Sequence, residues 1–221
     1  MGPLKIVAVS GSLVAGGNVD TLLDHALEEY AGDGRFEVVR FSLSGMEIGP
    51  CRHCNWCLNK QVDGRYCAQR DDMGAVYPEL IDAAGLLVAS PVHIGRLSGT
   101  TADFLDRLRV FVHGNLTAGV MRNKVGGALA VAWFRNAGVE LTLMTIDAAF
   151  QVLSMVTASP DLGVWGGAAF SSLEGSGRRS QESKLLVTED RLGMASARSV
   201  AYRVGELALL LDAGRKAAGQ P

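Results

Sequence analysis

Short unbroken apolar runs alternate along the chain with segments whose apolar positions recur every three or four residues. Lys5-Ile6-Val7-Ala8-Val9 is one such run and ends in Ser10-Gly11-Ser12. The lack of polar alternation marks a strand buried on both faces. Val19, Leu22, Leu23, Ala26 and Leu27 then share one helical face, with Asn18 or Asp20 as candidate cap and Gly32 and Gly34 as the stop. Phe36–Phe41 reads as a second strand and Gly85–Ser90 as a third, stopped by Pro91. Val125–Ala132 is a fourth and Leu153–Ala158 a fifth. Intervening helices are predicted over about 72–83, from Ser98 or Thr100 through Phe104, Leu105 and Leu108, and over about 139–151. A long amphipathic helix follows from Arg191 to Ala213. Two stretches carry neither pattern. Residues 42–69 hold every cysteine, and the Gly/Ser-rich stretch 166–180 is expected to be a mobile loop.

Strands that alternate with helices predict one α/β domain over residues 1–221, a doubly wound parallel sheet with right-handed crossovers. Five strands fit the 2-1-3-4-5 order of flavodoxin-like sheets, with a cysteine-rich insertion at about 42–70 after strand 2 and a last helix at about 190–214. In that order ligands bind beyond the carboxyl ends of the strands, so the loops after strands 1, 3 and 4 are the candidates. Composition narrows the function. The 221 residues are 48% hydrophobic and 20% charged, which supports a real core and excludes a disordered chain. A net charge of −2 gives no basic excess for nucleic acid or an anionic membrane surface. No run approaches the ~18 apolar residues of a membrane span, and Ser10-Gly11-Ser12 breaks the N-terminal apolar run too early for a signal peptide. A cytoplasmic, reducing location is expected, where structural disulfides are rare.

The first loop, Ser10 to Asn18, joins strand 1 to a helix start through Gly11, Gly16 and Gly17. Free amides and the helix dipole favour an anion there, and Ser10, Ser12 and Asn18 add neutral donors. That donor set suits the phosphomonoester of a cofactor, although the same residues also suit a plain βα turn. The loop is neither a Walker A loop nor Gly-x-Gly-x-x-Gly. After strand 3, Pro91, Val92, His93, Ile94 and Gly95 could offer backbone amides and an apolar wall to a planar ring.

Gly-Ser then Asn, Asp-Asp-Met (71–73), Ser-Pro-Val-His (90–93) and Phe-Leu-Asp-Arg (104–107) occur in that order. Together they resemble the NADPH-dependent FMN reductase superfamily of flavodoxin-like proteins, over about residues 4–158. The resemblance implies that Ser10, Ser12 and Asn18 hold the FMN phosphate. It places Pro91, Val92, His93, Ile94 and Gly95 beside the isoalloxazine, bordered by Trp133, Phe134, Arg135, Asn136 and Gly138. Two positions depart from the family pattern. Val19 stands where Ser or Thr is usual, leaving Thr21 as a possible substitute, and His93 stands where Tyr is usual.

Cys51-x2-Cys54-x2-Cys57, with Cys67 following, collects all four cysteines. Three thiolates at this spacing with a remote fourth is an iron–sulfur pattern. Zinc normally takes two separate Cys-x-x-Cys pairs, whereas here the pairs share Cys54. A site with no inorganic centre also remains open on spacing alone. The motif resembles that of the iron–sulfur flavoproteins, a branch of the same superfamily, which carry a 4Fe-4S cluster between strand 2 and the next helix. Cys67 followed by Asp71-Asp72-Met73 repeats that branch's Cys-x3-Asp-Asp-Met. The gap from Cys57 to Cys67 is longer than the branch's usual one. Asp71 and Asp72 are expected to cap the helix they precede, and Trp56 to shield a cluster or an interface.

The resemblance implies an FMN-dependent oxidoreductase and electron-transfer protein with no catalytic acid or base. Cysteines 51, 54, 57 and 67 would hold the cluster. Electrons would pass between a reduced donor, either NAD(P)H or a redox protein, and a small-molecule acceptor such as a quinone, oxygen, peroxide or a nitro compound. In that branch the cluster faces FMN across a subunit interface, which implies a homodimer or tetramer. Two alternatives stand beside this reading. One is an NAD(P)H-dependent FMN or quinone reductase without a cluster, and the other is a zinc-stabilised binding module.

Overall fold

The computed structural model describes residues 2–219. Residues 1, 220 and 221 of the expected 1–221 domain lie outside them. Strand β1 (Leu4–Ser10) pairs in parallel with β2 (Phe36–Ser42) on one side and with β3 (Gly85–His93) on the other. β3 pairs in turn with β5 (Val125–Ala132), and β5 with β6 (Val156–Thr157). The resulting order, β2-β1-β3-β5-β6, is the expected parallel order 2-1-3-4-5. Two short strands raise the total to seven: β4 (Arg96–Leu97), antiparallel to β3, and β7 (Gly167–Phe170), parallel to β5.

The edge position departs most from the expectation. The fifth strand, expected over Leu153–Ala158, is ordered into the sheet only at Val156–Thr157. The chain then leaves and returns as β7, whose Gly167 to Phe170 align with Leu129 to Ala132. Part of the expected mobile loop 166–180 is therefore strand. Pro91 likewise does not stop strand 3, which runs on to His93. By that point β3 has outrun β1, whose pairing ends at Ser10–Ala89, so a residue without an N–H leaves no gap in that ladder.

Helices cover both faces. Strand residues alternate between them, as period-2 geometry requires. Val7, Val9, Leu86, Val88, Ala128 and Ala130 pack beneath α2 (Met73–Asp82), α3 (Gly99–Arg107) and α5 (Val139–Val152). Ile6, Ala8, Leu87, Ala89, Leu129 and Val131 pack beneath α1 (Asn18–Leu27) and α6 (Arg191–Ala217). Helix α6 packs tightly on the sheet at Gly127, where an added Cβ would lie 2.7 Å from Leu87 on β3 and from Val204 on α6. A short helix the sequence did not signal, α4 (Arg109–His113), follows α3 directly.

The caps differ in detail from the sequence reading. Gly17, not Asn18 or Asp20, occupies the N-cap of α1. Asp20 reaches back instead, its Oδ2 accepting from the Gly16 amide at 2.8 Å in the manner of a capping box. Asp72 holds the N-cap of α2, but its carboxylate accepts from the Glu47 amide at 2.7 Å and so fastens the cysteine segment. Ser98 caps α3 as expected, accepting from Thr101 N. Among the described residues no helix is long and apolar enough to cross a membrane.

Candidate functional site

The loops at the carboxyl end of the sheet are locked to one another. Ser90, Ser98 and Thr101 form a buried hydroxyl cluster, with Thr101 Oγ1 donating to Ser90 Oγ at 3.0 Å and Ser98 Oγ to the Gly11 carbonyl at 3.0 Å. The Gly11 amide donates to Ala89 O at 2.7 Å. A Cβ at Gly11 would stand 1.9 Å from Thr101 Oγ1, so only glycine lets the first loop leave β1 in this direction. Ser10, at the strand end, is fully buried, and its hydroxyl has no partner among the described residues. The same holds for the backbone amides of Ser12, Leu13 and Ala15. Unpaired donors at a helix start are a ready anion cradle.

Not every residue assigned to that cradle offers its side chain to it. Ser12 Oγ accepts from the Val14 amide at 3.0 Å and donates to the Val14 carbonyl at 3.4 Å, so its hydroxyl is turned back into its own loop. Asn18 faces away: its Nδ2 donates to Lys184 O and its Oδ1 accepts from Val187 N, both at 3.0 Å. Asn18 thus ties α1 to segment 184–187 in this conformation. Thr21 does not substitute for the absent hydroxyl at Val19, because its Oγ1 donates to Gly17 O at 3.0 Å. Val19 itself is buried in the core.

After β3, Ile94 (φ +48°) and Gly95 (φ +76°) turn the chain tightly into β4. Consecutive positive φ values mark a two-residue hairpin turn that matches strand twist. Glycine suits it, whereas a β-branched residue there is strained. Ile94 is fully exposed at the tip, and His93 beside it is exposed too, while Pro91 and Val92 are half-buried. The hairpin meets the fourth loop. Gly138 (φ +98°) begins α5, and a Cβ there would lie 2.1 Å from Gly95 O.

Trp133, Phe134 and Arg135 leave β5 toward the same edge, but the stretch after β7 holds them. Ser172 Oγ donates to Trp133 O at 2.5 Å, and the Arg135 amide donates to Gly175 O at 3.0 Å. The Arg135 guanidinium donates to Glu174 O at 2.7 Å and lies 5.2 Å over the Phe170 ring. Residues 171–178 are therefore a braced turn, and the expected mobile loop is not found there. Phe134 and Asn136 stay exposed at the mouth of the site.

The cysteine segment is shaped by left-handed residues at His53 and Asn55 and by a short 3-10 turn at Trp56–Leu58. Gln61 anchors it from within, donating to Tyr66 O and accepting from the Leu116 amide at 2.9 Å. Cys51, Cys54, Cys57 and Cys67 all line one small pocket, together with Gln69, Arg107 and Arg109. All four are free thiols. Among the described residues no three His, Cys, Asp or Glu side chains gather tightly enough for a single metal ion. Four thiolates on a cluster each bind a different iron, so they stand farther apart than donors around one ion. Trp56 lies under the Arg65 guanidinium, 4.8 Å from the ring centroid.

Sequence reasoning missed Arg107 and Arg109. Arg107 ends α3 with its side chain buried. It grips both oxygens of Asp71 at 2.5 and 3.0 Å, donates to Gly49 O at 2.9 Å, and points Nη2 at Cys67 Sγ at 3.5 Å. Arg109 points Nη1 at Cys57 Sγ at 3.5 Å and donates to Asn55 Oδ1 at 2.8 Å. Asp71 is thus an ion-pair partner rather than a helix cap. Burial pushes its carboxyl up, but the bonds and charge of Arg107 outweigh burial and hold it below the usual range. Burial raises the Cys57 thiol, and the Arg109 charge works against that rise. The signal was present in the sequence: Thr101, Phe104 and Arg107 fall at three-residue spacing on one helical face, a charge on an apolar stripe.

Residues 4–168 match the family of NADPH-dependent FMN reductases. The chain belongs to that family. It is 31% identical over 210 residues to an iron–sulfur flavoprotein of Methanocaldococcus jannaschii, a match covering 94% of this chain and 99% of the relative. A second iron–sulfur flavoprotein of that organism is 32% identical over 204 residues, covering 92% and 96%. One of Methanosarcina thermophila is 28% identical over 212 residues, covering 96% and 99%. These matches place this FMN reductase family member in the iron–sulfur flavoprotein branch. Among solved structures, RosB with bound 8-demethyl-8-formylriboflavin-5'-phosphate superposes with a TM-score of 0.70 at 17% identity, covering 95% of this chain and 81% of that one. An apo NADH:FMN oxidoreductase superposes at 0.59 and 16%, covering 94% and 89%. Both likenesses speak for the fold. Family membership makes the chain a flavin-dependent oxidoreductase.

Proposed function

We propose that this oxidoreductase holds FMN in its carboxyl-edge loops and a 4Fe-4S cluster in its cysteine pocket. Electrons would pass between a reduced donor, NAD(P)H or a redox protein, and an acceptor such as a quinone, oxygen, peroxide or a nitro compound. The observation that carries the reading is the convergence of all four cysteines on one pocket flanked by two arginines. A cluster ligated by four thiolates is anionic, and guanidinium groups aimed at the sulfurs suit it. When bound, FMN exchanges electrons singly or in pairs and a cluster exchanges them singly, so together they join one-electron and two-electron partners.

The chain supplies the frame. Buried Ser10 and the unpaired amides of Ser12, Leu13 and Ala15 fit an FMN phosphate. Pro91 to Gly95 and Trp133 to Gly138 would flank the ring, with the strained Ile94 tip exposed toward it. Helix α3 joins the two sites. Its cap Ser98 bonds Gly11, and its last residue Arg107 touches Cys67. Nine residues at 1.5 Å rise separate these ends by about 13 Å.

Self-association as a dimer or tetramer is part of the proposal. Leu141, Met144, Leu162, Val164, Trp165 and Leu192 are exposed on α5, on segment 162–165 and at the start of α6, an apolar surface of the kind that marks interfaces. The test is an anaerobic absorption spectrum of the native chain beside Cys54→Ser. The native protein is expected to show flavin bands over a broad cluster absorption that bleaches on reduction. The variant is expected to keep only the flavin bands. Identical spectra would remove the cluster from this reading and leave a cluster-free FMN or quinone reductase.

A further inference from the structure

The chain after β7 touches both ends of the site assigned to the flavin. Near its start it is pinned to the fourth loop: Ser172 Oγ donates to Trp133 O, and the Arg135 amide donates to Gly175 O. Farther on it reaches the end of the first loop. Asn18 Nδ2 donates to Lys184 O, and the Val187 amide donates to Asn18 Oδ1, each at 3.0 Å. The stretch between is held mainly by itself. Ser180 Oγ accepts from the Glu182 and Ser183 amides, and Ser183 Oγ from the Leu185 amide. Among the described residues, 179–187 makes hydrogen bonds outside 173–190 only with Asn18. Leu186 and Val187 are buried, whereas Gln181, Glu182 and Lys184 are exposed. Residues 172–187 thus form a strap, anchored at the fourth loop and at the start of α6, whose middle is fastened to the first loop by one side chain. The strap lies beyond residues 4–168, the part of the chain that matches the family. Both polar atoms of the Asn18 amide are engaged by it. Buried Ser10 and the unpaired amides of Ser12, Leu13 and Ala15 remain for a phosphate.

We propose that Asn18 is the latch of this strap rather than a ligand of the FMN phosphate, and that the latched strap gates flavin exchange by joining the first and fourth loops. The gate rests on the flavin reading above, but the latch does not. Opening the strap breaks both Asn18 bonds and frees the Val187 amide to exchange with solvent. A cofactor behind a gate leaves only from the open form, so its dissociation rate follows the open population. Loss of the latch therefore speeds amide exchange and flavin release by the same factor. A phosphate ligand behaves differently. Its loss touches FMN and spares riboflavin, which has the same ring and ribityl chain without the phosphate.

The experiment compares the native chain, Asn18→Ala and Asn18→Asp. Hydrogen–deuterium exchange at the Val187 amide is measured in flavin-free protein, and release of FMN and of riboflavin is timed separately by flavin fluorescence. Asn18→Ala is expected to speed Val187 exchange roughly tenfold and to speed release of both flavins by that same factor. Asn18→Asp keeps an oxygen to accept from the Val187 amide and is expected to restore most of the protection. Amide exchange in β5 is expected to be the same in all three proteins, which separates unlatching from a general loosening of the fold. Faster FMN release with unchanged riboflavin release makes Asn18 a phosphate ligand and overturns the proposal. Equal Val187 exchange in the native chain and Asn18→Ala overturns the latch. Faster Val187 exchange with unchanged release of both flavins overturns the gate. A chain that binds neither flavin overturns the gate and the FMN reading together.

Discussion

Single side chains in this protein carry charge into places where water cannot reach, and each such residue has a measurable signature. Asp147 lies buried on α5, and burial alone pushes its carboxyl up to about 6. The native chain therefore binds more protons than the unfolded chain between about pH 4 and pH 6. Stability present below pH 4 is lost as pH rises through 6. Asp147→Asn is expected to remove that decline and to stabilise the protein at pH 7 by about 1–3 kcal/mol. Urea unfolding at pH 4 and pH 7 reads this directly, and a native protein equally stable at both pH values contradicts it. Ser12 offers a second residue-scale test. Glutamate there puts a carboxylate among the amides that would hold the phosphate. FMN affinity is expected to fall at least tenfold, about 1.4 kcal/mol, with the melting temperature of the FMN-free protein little changed. Undiminished FMN binding measured by flavin fluorescence would count against the first loop as the phosphate site.

Elements that the core dictates were legible in the sequence, and those that tertiary pairing creates were not. Val125–Ala132 is a continuous apolar run and forms β5 at those bounds. The three-and-four spacing from Val139 likewise gives α5. By contrast Gly166-Gly167-Ala168-Ala169-Phe170 has no β-branched residue, and only pairing with β5 makes it a strand. Asp190 secures it. One carboxylate oxygen accepts from Gly193 N and caps α6, while the other accepts from Phe170 N, each at 3.0 Å. Ser196 does the same for the Ala168 amide. Helix α6 thus covers the outer edge of β7, which would otherwise invite pairing with another chain. Asp190→Ala removes a cap and strands an edge amide. A loss of about 1–3 kcal/mol is expected, visible in thermal unfolding, and an unchanged midpoint would contradict the double role. The cysteine positions were legible because residue type and spacing carry their chemistry. The arginines that face them were not, since contacts 40 to 52 positions apart arise only on folding.

At the scale of the whole molecule, the candidate flavin loops and the cysteine pocket both follow the carboxyl ends of parallel strands, and α3 runs from Ser98, bonded to Gly11, to Arg107, beside Cys67. The first loop leaves the end of β1, and the third and fourth loops meet at Gly95 and Gly138. The cysteine pocket is built from the excursion between β2 and α2, braced by the helices after β3. Different segments make the two sites, so loss of one is expected to spare the other: Cys54→Ser should retain FMN while losing iron. The apolar surface around Trp165 and Leu192 is expected to be covered by a second copy of the chain, which sedimentation at micromolar concentration resolves. The central claim is that one chain carries both redox groups, and its most direct test is the iron, sulfide and FMN content of protein purified without oxygen. About four irons and four sulfides per chain with equimolar FMN is the expected result. Equimolar FMN with less than about one iron per chain after anaerobic loading would contradict it.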